Sequence, residues 1–113
     1  TETLMPIELP SPIRTYVAAN ARLDADGMLS AFADDAVVSD EARRHAGRDD
    51  IRAWILDATI ANRAVFTPET CRMEDGIAVV EGPTAGDFPG SPIRLTFRFA
   101  LRGDAITALE IAG

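Results

Sequence analysis

Residues 32 to 54 read Phe32-Ala33-Asp34-Asp35-Ala36-Val37-Val38-Ser39-Asp40, then Glu41-Ala42-Arg43-Arg44-His45-Ala46-Gly47, then Arg48-Asp49-Asp50-Ile51-Arg52-Ala53-Trp54. The stretch predicts a helix ending in the acidic turn Asp34-Asp35, then a short β-branched strand over 36–40 that finishes on a carboxylate. Gly47 then releases the chain into an amphipathic helix carrying the single Trp, Trp54. Side chains alternate along a strand, so if Val38 faces the core, Asp40 faces it as well. A carboxylate aimed at an apolar interior needs either a partner or a function.

Toward the N-terminus, residues 1–10 contain Pro6 and Pro10 and show no period, which predicts an irregular arm. Ser11-Pro12 reads as a helix start, with Ser11 as N-cap and Pro12 at the first helical position. Ile13, Tyr16, Val17 and Asn20 then share one face of a helix ending near Arg22, with Tyr16 inside the apolar stripe. Asp24 can cap a second helix whose inner face is Met28, Leu29 and Phe32.

Toward the C-terminus, the polar residues 41–46 fit a loop or a short edge strand. A third helix covers about 49–62, with Ile51, Trp54, Ile55 and Ala58 on its apolar face. From Arg63 the period becomes two, giving candidate strands at 64–74, 77–85, 92–102 and 105–112. In the third of these, Ile93, Leu95, Phe97, Phe99 and Leu101 lie on one face and Arg94, Thr96, Arg98 and Arg102 on the other. Acids such as Glu81 or Glu110 are the expected partners of that arginine ladder. Pro83 demotes the end of its strand to an edge or a bulge. The outcome is an α+β plan, in which three N-terminal helices plug a strongly bent, mainly antiparallel sheet. An imperfect plug leaves a pocket on the concave face.

A chain of 113 residues holds one core, hence one domain over 1–113, and 47% apolar residues with mean hydropathy +0.03 suit a folded protein. The net charge of -7 argues against nucleic acid, whose binding requires clustered cations. Cys71 is the single cysteine, so no internal disulfide forms. Without an apolar run of membrane-span or signal length, a cytoplasmic location is expected, with no membrane partner. One His and one Cys leave too few ligands for zinc, and Asp34-Asp35 alone is no metal pair, so neither metal nor cofactor is assigned.

Tyr16-Val17-Ala18-Ala19, Phe32 through Val38, Asp40 and the Gly47-to-Trp54 helix start resemble the SnoaL-like branch of the nuclear-transport-factor-2-like superfamily. So do the turn Gly86-Asp87-Phe88-Pro89-Gly90-Ser91-Pro92 and the strand Phe97-Arg98-Phe99. That branch includes polyketide cyclases and ketosteroid isomerases, and the similarity runs from Ser11 through nearly all of the chain. The resemblance implies a cone-shaped sheet with a pocket at its open end, and a homodimer formed through the outer sheet face. It also implies roles for Tyr16, as donor to a developing oxyanion, and for Asp40, as proton shuttle. Leu95 departs from the pattern, because the isomerases carry a second, acidic oxyanion donor at that place. Loss of one such donor costs about 3 to 4 kcal/mol of transition-state stabilisation. Leu95 also makes the pocket more apolar and favours an uncharged ligand.

The catalytic candidates are therefore Asp40 and Tyr16, and the expected binding wall is Trp54, Val38, Phe32, Leu95, Phe97 and Phe99. A buried Trp54 needs a partner for its indole N–H; if that partner is Asp40, the pair reads as structural and weakens the catalytic reading. His45 is expected at the rim or in solvent, and is also a candidate second proton carrier. Three readings stay open: an isomerase- or cyclase-type enzyme acting on an apolar carbonyl compound, a non-catalytic carrier of a small apolar ligand, and a dimeric adaptor with a filled cone.

Overall fold

The computed structural model describes residues 8–113, so most of the expected N-terminal arm lies outside the described residues. Helix α1 (Ser11–Ala21) starts one position earlier than expected. Pro10 is its N-cap, with extended backbone (φ -55°, ψ 149°), and the Arg14 amide closes the first turn on the Pro10 carbonyl at 3.0 Å. Ser11 is thus already helical and caps nothing. Helix α2 (Ala25–Ser30) has the expected cap, the Asp24 carboxylate accepting from the Gly27 amide at 3.0 Å.

Asp34 and Asp35 do not end that helix. They lie, exposed, within strand β1 (Phe32–Asp40), as does Phe32. A six-residue helix has little hold on the chain, and the sheet captures it at once: the Ile106 amide donates to Ala31 O at 2.8 Å. Pairing then slips between Phe32 and Val37, at the acidic pair. Strand β2 (Arg43–Ala46) pairs antiparallel with β1 as an edge strand. Gly47, at φ 86°, turns the chain into α3 (Arg48–Trp54), which continues as a π-helical segment, Ile55–Ile60.

The remaining strands are β3 (Val65–Phe66), β4 (Thr70–Glu74), β5 (Ile77–Ala85), β6 (Ile93–Arg102) and β7 (Ala105–Ala112). The sheet order is β2-β1-β7-β6-β5-β3, with β4 also against β5; only the β1–β7 pair is parallel. The strand expected over 64–74 is broken in two, because Thr67 to Glu69 ride over Gly82. The Thr67 amide donates to Pro83 O and the Glu69 amide to Glu81 O across this break. Pro83 accordingly sits opposite the bulge, inside the sheet and not at its edge.

Two rows of side chains cross the concave face. Val38, Leu109, Phe99 and Ala78 form a fully buried row, against which Ile13, Met28, Ile51 and Ile55 of the helices pack. The next row is Asp40, Ile111, Phe97 and Val80. On the outer face the arginine ladder pairs with other acids than expected: Arg94 with Glu69 at 2.7 Å and Arg102 with Asp35 at 3.3 Å. Glu81 is taken by Arg72 instead, at 3.6 Å.

Asn20 fastens α1 to the sheet. Its Nδ2 donates to Ala64 O at 2.9 Å and its Oδ1 accepts from the Phe66 amide at 2.7 Å, in a site 2% exposed. Asn20→Ala strands both backbone groups, and a loss of roughly 2 to 3 kcal/mol in chemical denaturation is expected.

Candidate functional site

The helices do not fill the concave face. Beyond the Asp40 row they leave a cavity of about 700 Å³. Phe66, Leu95, Phe97 and Ile111 supply its apolar wall, with Phe66 stacked on Phe97 at 4.0 Å. Phe88 and Pro89, from the connection between β5 and β6, stand with the exposed Ile93 on another part of the lining. Polar groups are few: Tyr16, Asn20, Asp40, Thr59, Asn62 and Thr84, besides Glu41.

Asp40 lies where strand alternation put it, two residues beyond the buried Val38 and on the same face. The Trp54 indole N–H donates to Asp40 Oδ2 at 2.9 Å, the partnership that the sequence reading counts as structural and against a catalytic Asp40. Both residues line the cavity, so the bond fixes one carboxylate oxygen while the side chain stays at the hollow. Glu41 and Ala42, at φ 53° and 63°, turn β1 into β2 immediately after it.

Tyr16 approaches from α1. Its ring meets Phe32 and Phe99 edge-on, at centroid distances of 5.8 and 6.0 Å, and it reaches Phe97 at 6.4 Å. Burial, reinforced by the nearby Asp40 charge, holds the phenol well above its ordinary pKa of 10.0. Tyr16 therefore remains a hydrogen-bond donor in the folded protein at every physiological pH. Tyr16 is the chain's single tyrosine. Ultraviolet titration should show no phenolate at pH 10 in folded protein, its absorbance rising only as alkali unfolds the chain. The sign follows from linkage. With the folded pKa raised, the phenol's contribution to stability is complete below pH 10 and is lost as the pH climbs above it.

The expected binding wall divides. Trp54, Leu95 and Phe97 line the cavity; Val38 and Phe99 do not, lying buried one row deeper, and neither does Phe32, buried beyond them beside Ile106. The Tyr16 ring covers Phe32 and Phe99, a contact that neither the helix-face reading of Phe32 nor the strand-face reading of Phe99 can show. His45 sits opposite Val38 on β2, half-buried, with its ring 6.2 Å from Trp54. It keeps part of its surface in solvent, beside the cavity-lining Trp54, and is not itself among the lining residues. Thr84 and Thr59 escaped the sequence reading. Thr84 shares the parity of Ala78 and Val80, so a hydroxyl on the inner face of β5 was the available signal. Thr59 lies in the π-helical segment, whose departure from the α-helical period erases such a signal.

Comparisons with known proteins agree with this fold. A proposed polyketide cyclase from Sinorhizobium meliloti is 36% identical, with 92% of this chain and 95% of that one covered and a TM-score of 0.86. A protein of ketosteroid isomerase-like fold from Catenulispora acidiphila, solved with trimethylamine, shares the fold at 20% identity; coverage is 94% and 87% and the TM-score 0.80. A Mycobacterium tuberculosis protein solved with estradiol-17β-hemisuccinate does so at 17% identity, with 90% of each chain covered and a TM-score of 0.76. No curated protein matches the sequence. The profile of the SnoaL-like domain matches residues 13–109, which reach from α1 into β7 and take in Asp40, Val80 and Phe97 of the cavity row, and the chain thus belongs to the SnoaL-like family.

Proposed function

We propose that this protein binds a small apolar carbonyl compound in the cone and moves a proton next to its carbonyl, as an isomerase or cyclase does. One observation carries the reading: the Asp40 carboxylate and a phenol kept protonated, Tyr16, line the same largely apolar hollow. Asp40 is the base that takes the proton from the carbon beside the carbonyl, and Tyr16 O–H donates to the oxygen as negative charge develops there. Trp54, bonded to Oδ2, orients the carboxylate and leaves Oδ1 to face the ligand. The estradiol derivative held by the M. tuberculosis neighbour supports a ligand of this size and polarity. Among the described residues no helix is long and apolar enough to cross a membrane. The functional unit in this proposal is a homodimer joined through the outer sheet face, placed in the cytoplasm.

Leu95 on the cavity wall favours a second reading, a carrier without turnover, since it offers nothing to a developing oxyanion. The open hollow speaks against an adaptor, which needs a filled cone. The test is enzyme-dependent exchange of ketone α-hydrogens with solvent deuterium, followed by NMR, in the wild type and in Asp40→Asn. Exchange by the wild type alone supports the enzyme; binding without exchange by either protein supports the carrier.

A further inference from the structure

Along β5 the residues of inner-face parity are Ala78, Val80, Gly82 and Thr84, opposite Phe99, Phe97, Leu95 and Ile93 of β6, and of the four Thr84 alone lines the cavity. Thr84 alone in this series carries a polar atom. It is 8% exposed and lies on the cavity wall, between Phe66 of β3 and Ile93 of β6. Neither neighbour can accept or donate a side-chain hydrogen bond. Among the described residues, Thr84 Oγ1 is the one buried side-chain oxygen or nitrogen without a hydrogen-bond partner. Valine has nearly the same shape, is at home in strands and leaves no orphan group. A buried, unpartnered hydroxyl in its place is unfavourable unless something else completes it.

Thr84 is also remote from the proton-transfer pair. Strands β7 and β6 separate β1 from β5, which at ordinary strand spacing is an arc of roughly 14 Å. It lies four residues along β5 from Val80, which shares a row with Asp40.

We propose that Thr84 Oγ1, which exposes less than 1 Å² without ligand, turns about χ1 into the hollow as a second ligand contact, so that the ligand is an apolar molecule with a polar group at each end. A carbonyl or phenol meets Tyr16, and a hydroxyl or carbonyl at the far end meets Thr84. This assignment rests on the reading of the cavity as a ligand site and adds the second polar group to the ligand's chemistry.

The test uses Thr84→Val, with Thr84→Ser as the variant that keeps the hydroxyl. The probes are estradiol, polar at both ends, and 17-deoxyestradiol, which lacks the second group; quenching of Trp54 fluorescence on the cavity wall reads their binding. Without ligand, Thr84→Val should melt roughly 4 °C higher, because an orphan hydroxyl is gone. It should bind estradiol about tenfold more weakly and 17-deoxyestradiol as the wild type does. Thr84→Ser should retain the preference for estradiol. A lower melting temperature in unliganded Thr84→Val would show that the hydroxyl already has a partner and would overturn the inference. So would equal weakening of both steroids. Either result leaves the proton-transfer reading standing, since that reading is decided by deuterium exchange and not by Thr84.

Discussion

Asp40→Asn should lower ketone α-hydrogen exchange by a factor of about a thousand or more while ligand affinity changes little. The substitution keeps the shape of the side chain and an oxygen able to accept from Trp54 Nε1, now 2.9 Å from Oδ2. What it removes is the basic oxygen. An amide cannot take a proton from carbon, so the chemical step loses its acceptor while the apolar wall of Phe66, Leu95, Phe97 and Ile111 is untouched. The effect should therefore appear in kcat, with KM nearly constant. If Asp40 were only a tether for Trp54, the isosteric Asn would preserve it and turnover would persist. Undiminished exchange in the variant would end the proton-shuttle proposal.

The largest effect on stability is expected at Gly82→Ala. A Cβ built on Gly82 would stand 2.0 Å from Thr67 O and 3.1 Å from the Glu69 amide nitrogen. These are backbone atoms of the segment that crosses over β5, and that segment is held there by its bonds to Pro83 O and Glu81 O. No rotamer change relieves such an overlap; the crossing chain must lift away and surrender those hydrogen bonds. A loss of about 3 kcal/mol or more is expected in urea unfolding. Gly76→Ala is the informative contrast, since its Cβ would meet nothing within 4 Å and its difficulty is the positive φ of 82° alone. Stability of Gly82→Ala equal to that of the wild type would show that the segment can yield.

What could be read from sequence was whatever strong local periodicity governs. The alternating Ile93-to-Leu101 pattern gave β6, and Ile51, Trp54 and Ile55 gave the buried side of α3. The single step from Val38 to Asp40 placed the carboxylate on the inner face. Where local signals competed with pairing to distant strands, the reading failed. Asp34-Asp35 looks like a helix stop because both side chains favour turns, yet pairing with β7 on either side of them, at Phe32 and from Val37, carries them into β1. Nothing in Thr67 to Glu69 announces that it must pass over a glycine fifteen residues later, and the reading of one strand over 64–74 passed over Pro68. The cavity wall suffered likewise, because strand parity tells which face a side chain takes and not how far Tyr16 reaches across it. Phe32, Val38 and Phe99 share the inward face with Phe97 but lie beneath that ring or beside it in the solid core.

The parallel joining of β1 to β7 couples the timing of synthesis to that of folding. These neighbours at the middle of the sheet are separated by most of the sequence, and β1 is bounded on its other side only by the short hairpin partner β2. While the ribosome is still making residues 105–112, the nascent polypeptide holds two unconnected fragments: a two-stranded ribbon with its helices, and a meander of β3 to β6. Neither fragment can close the hollow or cover its apolar lining. Strand β7 is thus the keystone, and the apolar lining stays uncovered until that strand arrives.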